Sequence, residues 1–273
     1  FPDRIVAVYD KAVFPLVPTS ESATIPFDRQ TRLSVNATDV DVEIVFAETR
    51  GAILAELVGD MVVLTDGAHL GFSADDDSVS FFTHERPAKP WIYSVPTVAA
   101  GKAKLKVTLP TGFSGDVKVE TSSGRVDLMK ASLSKFDVET KSGAVSILSS
   151  DVHVVRIKSL SGAVVLDAKS QDVVVETLSG PIESNLMDTF ETSGRAQLAF
   201  RSKSGPITIM VDPKASLAVN FESLTGALSS SLTLGGRTES TSLRLTGELG
   251  SGHGTLFART WSGPISLSGF TTP

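Results

Sequence analysis

Apolar and polar positions alternate through most of residues 117–273, in short runs that return at a nearly fixed interval. The motif Ser/Thr-x-Ser/Thr-Gly marks it, with its glycine at 124, 143, 162, 180, 205, 226 and 263, at gaps of 19, 19, 18, 25, 21 and 37 residues. Repeats of this length are the mark of stacked architectures, in which each unit buries its apolar face only against its neighbours. The columns say what the unit is. Seven residues before each glycine stand Val117, Phe136, Val155, Val173, Leu198, Val219 and Leu256; five before it stand Val119, Val138, Ile157, Val175, Phe200, Phe221 and Ala258. Two after it come Val126, Val145, Val164, Ile182, Ile207, Leu228 and Ile265. A period of two with β-branched and aromatic side chains predicts strands. The expectation is an all-β chain built as a parallel β-solenoid (β-helix), in coils of about 18–21 residues.

Inward parity runs through positions −7, −5 and −3 and is broken before +2, so each coil turns a corner at the glycine. A residue tolerant of φ > 0 suits that corner, and Pro181, Pro206 and Pro264 directly after it fix the exit. Within the last, longest gap, Leu243, Leu245, Thr246 and Gly247 read as a worn copy of the unit.

Residues 32–110 also read as strands, at Leu33 and Val35, Val40 to Ile44, Met61 to Leu64, Val79 to Phe82 and Leu105 to Leu109, with a faint echo of the repeat at Thr49 to Ile53. Pro87, Pro90, Trp91 and Pro96 mark a loop. The expected division is 1–110, a β-rich N-terminal region or cap that includes less regular coils, and 111–273, the repeats. A cap is needed because the end of a solenoid is an open sheet edge.

Composition narrows the function. With 41% hydrophobic and 21% charged residues in 273, the chain has the makings of a large core. It has no cysteine, which removes disulfides, thiolate metal sites and a cysteine nucleophile. The net charge of −6 argues against nucleic acid as a partner. Residues 1–116 hold 10 Lys+Arg against 16 Asp+Glu, and the remainder is balanced. Neither an apolar run of transmembrane length nor a signal peptide is visible. The sequence begins at Phe1 without a methionine, so a leader can be missing. Serine is crowded into the repeats, with 27 of 35 after residue 116.

The remaining columns are weighed as sites. Hydroxyls at −3 (Thr121, Thr140, Ser159, Thr177, Ser202, Ser223, Thr260) and −1 (mostly serine) suggest an ice-binding array or, as parity favours, internal ladders that satisfy the corner backbone. Position −4 is charged in every copy, as Glu120, Glu139, Lys158, Glu176, Arg201, Glu222 and Arg259; mixed signs predict a solvated ladder of ion pairs. Glu120 and Glu139 are the adjacent acidic pair and the weak candidates for a cation site. Position −2 breaks the pattern. Leu160, Leu178, Leu224 and Trp261 are large and apolar at a corner that should be wet, so they are covered by another segment, such as 181–197 or the N-terminal region, or form a binding stripe. His69, His84, His153 and His253 lack metal-ligand spacing, and no nucleophile elbow or phosphate loop occurs. Gly250, Gly252 and Gly254 around Ser251 and His253, and the run Asp75, Asp76, Asp77 with Asp66 near it, read as a loop and a solvated turn.

The segment Leu105 to Pro110, of the form L-x-V-x-L-P, is followed by V-x-V-x-T-x-S-G-x-V-x-L units at Val117 to Leu128, Phe136 to Ile147 and Val155 to Leu166. This arrangement resembles the bacterial putative-adhesin β-solenoid family, a domain of unknown function, over about residues 105–270. The resemblance implies a surface or envelope-associated protein and brings no catalytic residues. The resulting expectation is a non-enzymatic, adhesin-like binding or scaffolding protein, extracytoplasmic or at the cell surface, with cytoplasmic placement left open. It needs no cofactor, and its partner is a protein or glycan. The alternative is a β-helix polysaccharide lyase or hydrolase acting on an acidic glycan.

Overall fold

The computed structural model describes residues 7–9, 12–14, 16–28, 30–49, 51–62, 69–83, 103–186 and 196–270. These residues form strands without a helix. Apart from the antiparallel pair Ala7–Tyr9 and Ala12–Phe14, the strands join one large, mostly parallel sheet. The loop around Pro87, Pro90, Trp91 and Pro96, together with Arg50, Val63, Leu64, Asp66, His84 and most of the 181–197 segment, lies outside the described residues.

Alternation in the sequence becomes register in space. Strand Asp116–Thr121 pairs in parallel with Ser132–Thr140, so that Val117 meets Phe136, Val119 meets Val138 and Thr121 meets Thr140. The series continues through Val155 and Val173 to Leu198. A second series stacks Val126, Val145, Val164, Ile182 and Ile207. Each column of the repeat is thus a ladder of like residues. Both apolar series are fully buried and belong to one continuous core, which also encloses Phe81, Phe113, Phe136, Phe200 and Phe221. Each such side chain withdrawn from water stabilises the fold by about 1.5–3 kcal/mol.

The order of the layers differs from the order of the chain at both ends. Strand Gly254–Thr260 lies between Gln197–Ser202 and Leu217–Ser223, parallel to both, and Ile265–Gly269 lies between Ile207–Val211 and Leu228–Ser230. At the other end, Arg32–Ala37 is held between Ser78–Thr83 and Asp116–Thr121, and Asp41–Ala47 between Lys104–Pro110 and Val126–Met129. The N-terminal strands therefore share the sheet of the repeats. Antiparallel strands finish each end: Arg244–Leu249 lies on Leu217–Ser223, while Ala52–Val62 lies on Lys104–Pro110 and is itself covered by Leu16–Pro26. Residues Leu243 to Gly247 are accordingly part of this antiparallel cover and not a worn coil. Their parity is preserved because Leu245 and Leu249 still point inward. Pro18 and Pro26 stand on the outer strand, where a missing N–H blunts the edge.

The corner glycines have a different cause from the one their spacing suggests. Positive φ occurs at Gly51, Gly59, Gly236, Gly250 and Gly252, and at no glycine of the repeating column. What excludes a side chain there is the adjacent layer. A Cβ on Gly143, Gly162, Gly180, Gly205 or Gly263 would lie only 1.9–2.2 Å from the carbonyl oxygen of the preceding column glycine in the stack. The −3 hydroxyls complete the corner from inside. Gly143 N–H donates to Thr140 Oγ1 at 2.9 Å, Gly162 N–H to Ser159 Oγ at 2.9 Å, and Gly205, Gly226 and Gly263 repeat the bond. These N–H groups are buried, and without a partner each would be costly.

Candidate functional site

The corner that buries its −3 hydroxyls exposes the residues on either side of them. Position −4 is the last outward residue of the strand, and −2 begins the turn. Between these two projecting columns runs a groove whose floor is Thr121, Thr140, Ser159 and Thr177 in its first stretch. That stretch encloses about 540 Å³ and a second, at the C-terminal end, about 670 Å³. With layers about 4.8 Å apart, the groove can follow several of them along the stack.

One wall is the charged column. Lys158 Nζ lies 3.9 Å from Glu139, Arg201 donates to Glu176 at 2.9 Å, and Arg259 Nε lies 3.9 Å from Glu222. Glu120 accepts from Lys118 on the same strand, and that bond raises the ammonium pKa above its ordinary value. Glu120 and Glu139, the candidate cation ligands, do stand side by side in register, each with a lysine on it. Among the described residues no group of three or more His, Asp or Glu is placed to hold a metal ion. Ion pairs this exposed contribute little each, about 0–1 kcal/mol, so the wall is easily rearranged by a charged ligand.

The other wall is the −2 column. Backbone bonds give its stacking order: Lys141 N–H to Ser122 O, Leu178 N–H to Leu160 O, Trp261 N–H to Lys203 O, and Leu224 N–H to Thr260 O. The four apolar members are exposed, Leu160 by 53%, Leu178 by 47%, Leu224 by 55% and Trp261 by 57%. The structure places them as two pairs, Leu160 with Leu178 and Trp261 with Leu224, separated by Lys203. Among the described residues no segment covers them. Lys203 Nζ stands 5.6 Å from the centroid of the Trp261 ring.

The remaining hydroxyls divide by depth. The −3 column is buried in all seven copies. The −1 column is largely exposed, and its hydroxyls donate to the neighbouring layer, Ser142 to Ser122 O and Ser161 to Lys141 O at 3.3 Å. Asp75 closes its own turn by accepting from Ser78 N at 2.7 Å and from the Ser78 hydroxyl at 2.9 Å. Ser251 and His253 Nδ1 are 2.8 Å apart, with Ser216 bonded to both. Leu243 and Arg244 join the C-terminal stretch of the groove, which sequence reading did not foresee because the antiparallel cover brings them there.

The family model Toastrack DUF4097 matches residues 30–268. No curated protein shows significant similarity to the chain. Similar solved structures include a putative cell adhesion protein from Clostridium sporogenes, 9% identical, covering 93% of this chain and all of that one with a TM-score of 0.41. A putative adhesin from Bacteroides fragilis is 12% identical, covers 91% of this chain and 97% of that one, and gives a TM-score of 0.42. Another from Parabacteroides merdae is 10% identical, with coverage of 92% and 96% and a TM-score of 0.41. No helix of the described residues is long and apolar enough to cross a membrane.

Proposed function

The chain belongs to the Toastrack DUF4097 family, and we propose that within it this protein is a non-enzymatic, adhesin-like binding module at the cell envelope. Its scaffold is a parallel β-solenoid of coils of about 18–21 residues, with residues 1–110 a β-rich N-terminal region or cap that includes less regular coils and 111–273 the repeats. The −2 column is the binding surface.

One observation carries the reading. Four large apolar side chains, Leu160, Leu178, Leu224 and Trp261, stand about half exposed at the one corner position where the repeat otherwise places Ser122, Lys141 and Lys203. Exposed apolar groups aligned beside a groove mark interaction surfaces, because their only gain in stability comes from a partner. A solenoid suits this use, since equally spaced layers present a long rigid surface that needs little reordering on binding.

The test is retention of the chain on immobilised cell-surface glycans and extracellular proteins, by the native sequence and by a variant carrying Leu160→Ser, Leu178→Ser, Leu224→Ser and Trp261→Ser. The variant should lose retention while its unfolding midpoint stays within a few degrees, as exposed positions allow. Equal retention by both proteins would refute the assignment of this surface.

A further inference from the structure

We propose that the C-terminal stretch of the groove binds an anionic carbohydrate, a chain bearing uronate or sulfate groups; this rests on the binding reading above and names the ligand of one part of that surface. The placement of strand Gly254–Thr260 between Gln197–Ser202 and Leu217–Ser223 sets Arg201 directly beside Arg259. Beyond Arg259 in the stack comes Glu222, and across the antiparallel pair from Glu222 stands Arg244. Lys203 adds a fourth cation from the opposite wall. Glu222 is the one carboxylate among the residues lining this stretch, whereas Glu120, Glu139 and Glu176 line the first stretch. A protein of net charge −6 thus concentrates positive charge at one end of its groove.

Three further observations select the chemistry. Trp261 lies 57% exposed, with Lys203 Nζ 5.6 Å from its ring centroid. A flat apolar face beside a cation fits a sugar ring, whose C–H face can stack while its acidic substituent meets Lys203, Arg259 or Arg201. The floor, Ser202, Ser223 and Thr260, is made of small residues whose hydroxyls already accept from the corner glycines, so it leaves room for a ring and polar recognition falls to the walls. The corner backbone offers no strand-pairing edge: the N–H groups of Lys203, Leu224, Trp261 and Ser262 already donate to neighbouring layers. A peptide strand would find no ladder here, so recognition falls to side chains. A single exposed indole is also a poor platform for single-stranded nucleic acid, which stacks successive bases on several rings.

The experiment titrates the full chain carrying Trp91→Phe, so that fluorescence reports Trp261. The probes are a heparin-derived oligosaccharide, an oligogalacturonate, a neutral malto-oligosaccharide and a single-stranded oligonucleotide. At least one acidic oligosaccharide should shift the emission and bind more weakly as salt rises, with no response to the neutral sugar. Followed by isothermal titration calorimetry, because Trp261→Ala removes the fluorophore, Trp261→Ala and Arg259→Gln should each weaken it by about tenfold or more, as loss of a charge-assisted or stacking contact does. Arg259→Lys should restore part of the affinity, and Phe72→Ser, at an exposed apolar residue outside the groove, should leave it unchanged. Absence of binding by both acidic sugars, equal or tighter binding of the oligonucleotide, or indifference to Trp261→Ala would overturn the proposal. Should the acidic sugars fail while the four-site serine variant still loses retention on its partners, the binding surface stands and only its ligand is wrong.

Discussion

Replacing Gly162 by alanine would place a methyl carbon 1.9 Å from the carbonyl oxygen of Gly143 and 3.1 Å from Ser159 Oγ. Real Cβ contacts stay at or above 3.0 Å, so the two layers must part locally by about 1.1 Å or the corner must rotate. Either movement stretches the flanking bonds, Ser161 N–H to Lys141 O at 2.9 Å and Val145 N–H to Ala163 O at 2.8 Å, out to about 4 Å, where a hydrogen bond no longer exists. A buried group left without its partner costs about 1–3 kcal/mol, and overpacking adds a similar amount. The expected loss is about 2–6 kcal/mol, a large share of the roughly 5–15 kcal/mol that holds a domain folded. Urea unfolding followed by circular dichroism measures it, with Gly112→Ala as the control, since a Cβ there meets nothing within 4 Å. The control should fall within about 0.5 kcal/mol of the native chain. If Gly162→Ala did the same, close approach of the layers would not be what keeps glycine at the corner.

Two further predictions probe the core and a turn. Ser184 is 1% exposed, sits in register between Leu166 and Ile209, and its hydroxyl has no hydrogen-bond partner, so Ser184→Ala should stabilise the chain by about 1 kcal/mol in the same unfolding assay. A loss of stability would show that the hydroxyl has a role the structure does not contain. The Asp75 carboxyl is held below its ordinary pKa of 3.8, chiefly by the Ser78 hydroxyl and then by the Ser78 N–H. A depressed folded pKa means the bonds stabilise the turn fully above the unfolded value and are lost as pH falls through the lower, folded one. Carboxyl titration by NMR should therefore find the Asp75 midpoint under 3.8 and moved upward by Ser78→Ala; an unmoved midpoint would refute the assignment.

Much of this architecture is legible one column at a time. Val117, Phe136 and Val155 announce a ladder because period-two alternation and a fixed interval leave little choice of register. Thr140 and its counterparts read as inward by the same parity, and they are buried. Layer order is another matter. Every layer offers its neighbour the same apolar face, so Leu256 packs as well beside Leu198 as Val219 would, and nothing in the motif forbids the exchange. The proximity of Arg201 to Arg259, separated by 58 residues, follows from that exchange and was invisible for the same reason. The corner glycines mislead in a related way. Their conservation of type across the repeat signals that a side chain is unwelcome, but sequence does not distinguish a left-handed backbone from a carbonyl oxygen waiting in the next layer. The apolar −2 column was visible; its division into two pairs by Lys203 depended on the layer order again.

The exchanged layers also change how the molecule can assemble. An ordinary stack grows like a column of coins, each coil settling on the one made before it. Here the layer containing Leu217–Ser223 has no parallel neighbour until Gly254–Thr260 has slipped in beneath it, and Arg244–Leu249 must fold back over its outer side. The final turns therefore close as one clasp, dependent on contacts between residues far apart in the chain, which are slow to form and cooperative to break. Whatever the cationic end of the groove holds, it is held where strands distant in the chain, Gln197–Ser202, Leu217–Ser223 and Gly254–Thr260, must come together first.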